Sequence, residues 1–342
     1  MHLFLPAADM APFLVEELAR SGVLTPSVLP AADYAPLVQA DSLPEHSLLA
    51  FAWQTLPNAI SVTGASINGW ADQIIGRIAG VVSDAGPWRL HLWPVYGEGR
   101  AGWHRCELIR AALMERLKKK RRALLKGFEE GSTAWTSQTS LVQAMLTGPD
   151  AGFLSVAVAP QPFDRRALIS TFPGGVIAHA EDKAAPSRAF AKVIEAELRL
   201  GRHIQKGQTC VDLGASPGSW SYVAIQRGAY VTAIDRSPLR EDLMRNPRLT
   251  FQQADAFKFR PPQPVDWLIC DIIAAPQRSI DLLLEWLREG QMSQFIVTIK
   301  FKGTEEYALL DQLKEQAAPL CSDFRLMRLC ANKNEVTAFG VV

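Results

Sequence analysis

Over residues 187–342 of this chain, short runs of apolar residues alternate with segments in which apolar residues recur at helical intervals. Phe190, Val193 and Leu198 share one face of a predicted helix over 187–200. The strand-length apolar runs that follow are 209–213, 230–235, 249–253, 265–271 and 294–300, with a closing hairpin of 324–329 and 335–341. Strands that alternate with helices predict an α/β fold, a doubly wound sheet whose last strand is antiparallel.

The first half of the chain has a different pattern of hydrophobic and polar residues. Helical spacing over 67–81 and 105–126, mixed with short strand patterns, predicts a smaller α+β domain. The stretch 161–186 is rich in Pro, Gly, Ala and mixed charge, which is typical of a connection between domains. We therefore predict an α+β domain over 1–160, a linker over 161–186 and an α/β domain over 187–342.

Composition limits the class of protein. The chain has 342 residues, of which 48% are hydrophobic and 21% charged, as in a folded globular protein. A net charge of +1 argues against a binder whose whole surface is basic. The 5 cysteines form no C-x-x-C pair, so we expect no metal site. The start carries no basic leader, and no apolar run is long enough for a bilayer, so we expect a cytoplasmic protein without membrane contact. We also expect a monomer.

A glycine-rich turn, DLGASPGSW, follows the predicted strand 209–213 and allows three interpretations. It contains G-x-S-x-G, as in a hydrolase nucleophile elbow, but the residue after the serine is Pro217, which has no N–H for an oxyanion hole. A dinucleotide fingerprint requires glycine where this chain has Ser216, so a pyrophosphate site is disfavoured. The third interpretation is binding of S-adenosylmethionine.

Three carboxylates favour the third interpretation. Asp212, Asp235 and Asp255 stand at or just after the ends of the first three predicted strands. We expect Asp235 to accept hydrogen bonds from both ribose hydroxyls and Asp255 to meet the adenine amino group. Three carboxylates suit a zwitterionic amino-acid nucleoside better than they suit a pyrophosphate, because like charges repel.

Four further ionisable residues are expected at the same edge of the sheet. Asp271 and Lys300 end the fourth and fifth predicted strands, whose carboxyl ends form the ligand crevice of an open sheet. Glu335 begins the antiparallel strand, and Lys192 lies on the helix before the first strand. Two lysines and two carboxylates thus converge where a methyl group would be transferred. Taken singly, Lys300 could equally be an edge lysine and Asp271 a loop cap.

The order Lys192, Asp271, Lys300, Glu335 resembles the K-D-K-E tetrad of FtsJ-like RNA 2'-O-ribose methyltransferases. The stretches VDLGASPGSW, VTAIDRSPL and VDWLICDI resemble the RlmM-type members of that family, which act on bacterial 23S rRNA. The resemblance covers roughly 180–342 and implies a Rossmann-like, SAM-dependent methyltransferase sheet with the tetrad as catalytic residues. It also implies a THUMP-like RNA-binding domain before it, and a cytidine of 23S rRNA or of a large-subunit precursor as the target.

Two sets of binding residues follow from these observations. The residues expected to bind S-adenosyl-L-methionine are Ser187, Asp212, Gly214, Ser216, Pro217, Gly218, Trp220, Asp235, Asp255 and Asp271. The residues expected to contact RNA phosphates are Arg116, Lys118, Lys119, Lys120, Arg121 and Arg122, since clustered cations release counterions on meeting RNA. A solvated helix face explains this basic cluster equally well.

Other functions remain open from the sequence. Base or small-molecule methylation is disfavoured, because Asp271 is followed by Ile-Ile-Ala rather than by the Pro-Pro-aromatic run of N-methyltransferases. The chain could instead methylate another RNA. A protein that retains the fold and binds RNA during ribosome assembly, without turnover, is the non-enzymatic alternative.

Overall fold

A computed structural model of the chain divides into two compact units, Met1–Val176 and Ile177–Val342. The structure describes residues 1–29, 36–44, 48–82, 86–97, 100–131, 136–160 and 168–342. The division between the units falls inside the predicted linker, of which residues 161–167 lie outside the described part. Each unit has a core of buried apolar side chains of its own.

In its described residues, the N-terminal unit combines helices with two sheets of four strands each. Its elements are β1 (His2–Pro6), α1 (Ala11–Arg20), β2 (Ser27–Leu29), β3 (Leu37–Ala40), β4 (Ala52–Leu56), β5 (Ile60–Val62), α2 (Ile67–Ala79), β6 (Trp88–Pro94), α3 (Ala101–Lys120), α4 (Arg122–Lys126), β7 (Ser140–Leu146) and β8 (Gly152–Ala157). One sheet has the antiparallel order β2-β3-β1-β4. The other has the order β5-β8-β7-β6, in which only β6 and β7 are parallel.

The single helix predicted over 105–126 is two helices. α3 ends at Lys120, and Arg121 has non-helical backbone angles (φ −145°, ψ 54°) before α4 begins. The buried indole N–H of Trp88, on β6, donates to the carbonyl oxygen of Leu124 at 2.7 Å. A tertiary hydrogen bond therefore holds α4. The spacing of apolar residues along the chain does not predict that contact.

The C-terminal unit is built on one sheet of seven strands. Its elements are α5 (Phe190–Leu200), β9 (Thr209–Leu213), α6 (Ser219–Gln226), β10 (Tyr230–Asp235), α7 (Glu241–Met244), β11 (Leu249–Gln253), β12 (Val265–Cys270), α8 (Pro276–Arg288), β13 (Met292–Lys300), α9 (Leu309–Ala317), β14 (Asp323–Met327) and β15 (Glu335–Val341). The strand order is β11-β10-β9-β12-β13-β15-β14, and β15 runs antiparallel to both of its neighbours. This is the mixed α/β sheet with an antiparallel last strand that the sequence predicts.

The central strands are apolar because helices and loops cover both faces of the sheet. Trp267 and Ile269 on β12, together with Ile296 on β13, are fully buried. A strand buried on both faces loses the alternation of polar and apolar residues and becomes a continuous apolar run. The ends of such strands are the points where polar side chains can reach solvent or a ligand, and the candidate site lies there.

Candidate active site at the carboxyl edge of the sheet

The four residues of the predicted tetrad form one connected ion network. The ammonium of Lys192 lies 3.2 Å from each carboxylate oxygen of Asp271 and 2.5 Å from Oε1 of Glu335. The Nζ atom of Lys300 lies 3.0 Å from Oδ1 of Asp271 and donates to the Asp271 carbonyl oxygen at 2.8 Å. Asp271 therefore bridges the two lysines.

The topology of the sheet explains this convergence. Asp271 follows β12 directly and Lys300 ends β13, the parallel neighbour of β12. Lys300 and Glu335 are direct partners in the antiparallel pairing of β13 with β15, so their side chains emerge on the same face. Helix α5 supplies Lys192 from its first turn.

The two halves of the tetrad differ in exposure. The side chains of Lys192 and Glu335 are 8% and 9% exposed, whereas those of Asp271 and Lys300 are 16% and 23% exposed. Asp271 and Lys300 also line a cavity of about 450 Å³, which Lys192 and Glu335 do not. A buried ammonium is tolerated when carboxylates pair with it. Asp271 and Lys300 thus face the cavity, and the other two residues support them from behind.

The same cavity extends to the residues predicted to bind the cofactor. Those that line it are Ser187, Asp212, Gly214, Ser216, Pro217, Trp220, Asp235, Asp255 and Asp271. A volume of this size lies in the ordinary range for sites that take a small molecule or cofactor, roughly 300–1,000 Å³. Two of the four predicted catalytic residues, Asp271 and Lys300, therefore share one cavity with most of the predicted cofactor residues.

Gly218 is the member of that set which does not line the cavity. It is the N-cap of α6 with a φ of 107°, and a Cβ atom there would lie 2.4 Å from Leu243. Only glycine adopts such a backbone conformation without strain. Gly218 thus shapes the turn and packs against α7 rather than lining the cavity.

The glycine turn is held by Asp235 at the end of β10. One oxygen of its carboxylate accepts from the backbone N–H of Ser216 at 3.0 Å, and the other accepts from that of Ser237 at 2.8 Å. Gly214 has a φ of 75°, and a Cβ atom there would lie 2.5 Å from Ile272. The turn therefore approaches the loop after β12 so closely that no side chain fits between them.

Asp212 is a buried carboxyl group in the floor of the cavity. It is 1% exposed, and its Oδ2 accepts a hydrogen bond from the Ser221 hydroxyl at 2.7 Å. Burial raises the pKa of Asp212 to about 7, although the hydrogen bonds from Ser221 oppose that rise. An unpaired buried acid of this kind suits a cationic ligand, which would supply the missing opposite charge.

One wall of the cavity contains residues that the sequence does not predict as site residues. Asp255 accepts from the Phe257 N–H at 3.1 Å, which together with Arg236 at 3.0 Å lowers the pKa of its carboxyl group. The guanidinium of Arg278 lies 3.9 Å from the centre of the Phe257 ring, a cation–π contact. Arg236, Phe257 and Arg278 all line the cavity. Arg278 lies in the first turn of α8. It belongs to no sequence motif that would have identified it as a site residue.

In the basic cluster of the N-terminal unit, Arg116 contacts another helix. The guanidinium of Arg116 lies 2.7 Å from Asp72 and 2.9 Å from Asn68, both on α2. By contrast, the residues from Lys118 to Arg122 are all exposed. Lys118 pairs with Glu115 at 3.3 Å and Arg122 donates to the carbonyl oxygen of Lys118. The exposed part of the cluster is thus shorter than the sequence suggests.

In the described part of the chain, no helix combines the length and the apolar character needed to cross a bilayer. Among the same residues, no group of three or more His, Cys, Asp and Glu side chains is arranged to hold a metal ion.

A mixed α/β sheet of this strand order, with a cavity at its carboxyl edge, defines the methyltransferase class of fold. Residues 185–321, within the C-terminal unit, match the family described as FtsJ-like methyltransferase. The matched segment includes Lys192, Asp271 and Lys300, while Glu335 lies beyond its end. Membership of this class implies a cofactor of the S-adenosylmethionine type.

Curated relatives match the chain over about half of its length. A protein from Thauera aminoaromatica called ribosomal RNA large subunit methyltransferase M is 35% identical over 181 residues, 50% of each chain. Proteins of the same name from Idiomarina loihiensis and from a Marinomonas species are 38% and 34% identical, over 42% and 56% of each chain. The chain spans about half the length of the curated relatives that it matches.

Proposed function

We propose that this protein is an S-adenosylmethionine-dependent RNA 2'-O-ribose methyltransferase that acts on 23S rRNA or a large-subunit precursor. The observation that carries the proposal is the bridged network of Lys192, Asp271, Lys300 and Glu335 at one end of the cavity. The names of the curated relatives support large-subunit rRNA as the substrate, and the family resemblance extends this to a cytidine.

The chemistry of the cavity suits this cofactor. S-adenosylmethionine would supply an electrophilic methyl group on a positively charged sulfur. Its ammonium group would find a partner in Asp212, while Asp235 and Asp255 would accept from the ribose hydroxyls and the adenine amino group. Gly214 keeps the turn free of a side chain on the side that faces the loop after β12. The glycine-turn residues Ser216, Pro217 and Trp220, with Ser187, would form the remaining wall.

Lys300 is the proposed proton acceptor. A ribose hydroxyl is a weak nucleophile until its proton leaves, and general-base assistance typically contributes 10²–10⁴-fold. In the proposed step the 2'-oxygen forms a bond to the methyl carbon, the bond from that carbon to sulfur breaks, and the hydroxyl proton passes to the amine of Lys300. Lys300 and Asp271 are the tetrad members that line the cavity, so they are the ones within reach of a bound ribose.

Lys192 and Glu335 would act through Asp271. Because Lys192 contacts both carboxylates, it holds Asp271 in place without entering the cavity. Asp271 in turn fixes Lys300 by its carboxylate and its carbonyl oxygen. Small displacements of a reacting group reduce rates strongly, so such support contributes to catalysis without contact with the substrate.

The N-terminal unit is proposed to bind RNA, as a THUMP-like domain would. The exposed cations Lys118, Lys119, Lys120, Arg121 and Arg122 support this, because phosphate contacts dominate affinity for RNA and fix its position. Arg116 is proposed to support this surface through α2 rather than to contact phosphates.

Substitution of Lys300 tests the proposed catalytic role. We expect Lys300→Ala to lower methyl transfer to large-subunit rRNA by at least about 100-fold. The affinity for S-adenosylmethionine, measured by calorimetry, should stay within about twofold, because the variant keeps the carboxylates at the adenosine end. Lys206→Ala, a change of an exposed lysine in the same unit, is the control and should retain full activity. Loss of cofactor binding in Lys300→Ala would contradict the assignment.

The position of the methyl group distinguishes ribose from base methylation. Mapping should find one added methyl group that protects the adjacent phosphodiester bond from alkaline cleavage, since that cleavage requires a free 2'-hydroxyl. A methyl group on a base would leave the cleavage pattern unchanged and would favour the alternative chemistry. Binding of both cofactor and rRNA without any product would instead favour the role in assembly.

A further inference from the structure

Helix α5 carries a second buried charged residue on the same side as Lys192. Glu195 follows Lys192 by three positions, a spacing that puts both residues on one face of a helix. Glu195 is 0% exposed, and Arg199, one turn further on, donates to its Oε1 from Nε at 2.9 Å and from Nη2 at 2.6 Å. The mechanism proposed above makes no use of this buried carboxylate.

The carboxylate of Glu195 holds the loop that leads into β15. Its Oε1 accepts from the backbone N–H of Cys330 at 2.9 Å, and its Oε2 accepts from that of Ala331 at 3.2 Å. Within this loop, Oδ1 of Asn332 accepts from the Leu329 N–H at 2.7 Å and from the Thr337 hydroxyl at 3.2 Å. The loop is therefore fixed at Cys330 and Ala331 by α5 and at Asn332 by its own side chain.

The same loop positions Glu335. The amide of Asn332 and the backbone N–H of Lys333 each lie 3.4 Å from Oε1 of Glu335. That oxygen is also the one that meets Lys192 at 2.5 Å. Hydrogen bonds thus connect Glu195, through the loop, to the tetrad.

The other end of this chain of contacts is His179. Its Nε2 lies 3.2 Å from Oε2 of Glu195, and its side chain is 16% exposed. Burial alone would raise the pKa of Glu195, but the hydrogen bond from His179 and the charge of Arg199 lower it to about 2. An ionised carboxylate only accepts hydrogen bonds, so the Nε2 of His179 must carry the proton.

A second contact comes from the same stretch of chain. Burial raises the pKa of the Cys330 thiol to about 11, and the backbone of Ile177 beside that thiol opposes the rise. Cys330 is also the residue whose N–H is held by Glu195. Ile177 is the first residue of the C-terminal unit. The segment 177–179 therefore contacts both Glu195 and the loop.

We propose that Glu195 is a positioning residue, and that with His179 it links the segment 177–179 to the tetrad through the loop 329–334. The proposal rests on the proposed function for its catalytic consequence. Displacement of the segment 177–179 would remove the His179 contact from Oε2 of Glu195, loosen Cys330 and Ala331, and move Glu335 away from Lys192. The orientation of Lys300 would then change, although neither His179 nor Glu195 lines the cavity.

The chain contains a matched control on the same helix. Glu197 is also 0% exposed, and its Oε2 lies 3.5 Å from Nδ1 of His203. Its carboxylate accepts from the N–H of Ile204 and from Arg227, both at 2.9 Å. Each pair, His179 with Glu195 and His203 with Glu197, joins a histidine to a buried glutamate. Glu197, however, holds the segment after α5 instead of the loop 329–334.

The experiment compares three variants of the full chain: His179→Leu, His179→Gln and His203→Leu. Hydrogen exchange of a peptide covering 329–335, measured with no cofactor or RNA present, should be faster in His179→Leu. It should match the wild type in His179→Gln, whose amide can still donate to Glu195, and in His203→Leu. In the methyl-transfer assay, kcat should fall about 10-fold in His179→Leu alone, with an unchanged KM for the cofactor.

Each outcome decides one question. Unchanged exchange at 329–335 in His179→Leu, or equal acceleration in His203→Leu, would overturn the proposal. Faster exchange with full kcat in an active enzyme would also overturn it, since the loop would then not position the tetrad. If the wild type methylates no RNA, the proposed function fails, while the exchange data still decide whether His179 and Glu195 hold the loop.

Discussion

At the residue scale, Asp212 makes the site sensitive to pH. The folded protein raises the pKa of this carboxyl group from 3.8 to about 7, so the folded state holds the proton more tightly than the unfolded state. The contribution of Asp212 to the free energy of unfolding is therefore largest below about pH 4. This contribution is lost as the pH rises through about 7. A cation bound beside Asp212 would favour the ionised form and release the proton.

We expect cofactor affinity to increase as pH rises from about 6 to 8, because Asp212 must lose its proton to pair with the ammonium group. Calorimetry in buffers of different ionisation enthalpy measures the affinity and the released proton together. Asp212→Asn should bind the cofactor weakly and without this pH dependence.

Thermal unfolding without cofactor provides the complementary measurement. Asp212→Asn should be more stable than the wild type at pH 8, and this advantage should shrink toward pH 4. An advantage that does not change with pH would contradict a buried titrating carboxyl group at this position.

At the scale of elements, α3 has two faces with different roles. Its buried residues Ile109, Leu113 and Leu117 pack in the core of the N-terminal unit. Arg116 ties the helix to α2, and the exposed lysines follow in its last turn. Cations in a last turn are favoured by the helix dipole whatever else they bind, so sequence alone cannot assign them to RNA.

Paired variants separate support from binding on this helix. Arg116→Ala should lower the free energy of unfolding by about 1 kcal/mol, since it loses hydrogen bonds to Asp72 and Asn68. Replacement of Lys119 and Lys120 by Ala should leave stability unchanged and weaken RNA binding. It should also reduce the slope of log affinity against log salt by about 0.7 for each lost contact to single-stranded RNA. Unchanged affinity and slope would identify the cluster as a solvated face.

At the scale of the whole molecule, the two compact units predict separable functions. A chain of residues 177–342 retains the seven-stranded sheet, the tetrad and His179. We expect it to fold cooperatively and bind the cofactor as the full chain does, but to need a higher concentration of rRNA for half-maximal methylation. Circular dichroism, calorimetry and KM for rRNA check the three statements. An unchanged KM for rRNA would remove the N-terminal unit from RNA recognition.

Much of the C-terminal unit is readable from the sequence, and the reason is physical. Buried parallel strands must be apolar, so β9 and β10 stand out with their observed bounds, and ionisable residues at strand ends mark the site. The wall formed by Phe257 and Arg278 could not be read this way, because a loop residue and a helix residue 21 positions apart in sequence meet only in the fold. Glu195 was missed for the same reason: its partners at 330 and 331 are distant in sequence.

The pairing of Lys300 with Glu335 has a consequence for how this gene can vary. The two residues are opposite each other in the ladder between β13 and β15, and a shift of one position would turn Glu335 to the other face of the sheet. Substitutions between β14 and β15 can leave this register intact, whereas insertion or deletion of a single codon there removes a carboxylate from the tetrad while the sheet survives. Selection should therefore constrain the length of this connection more strictly than the identity of most of its residues.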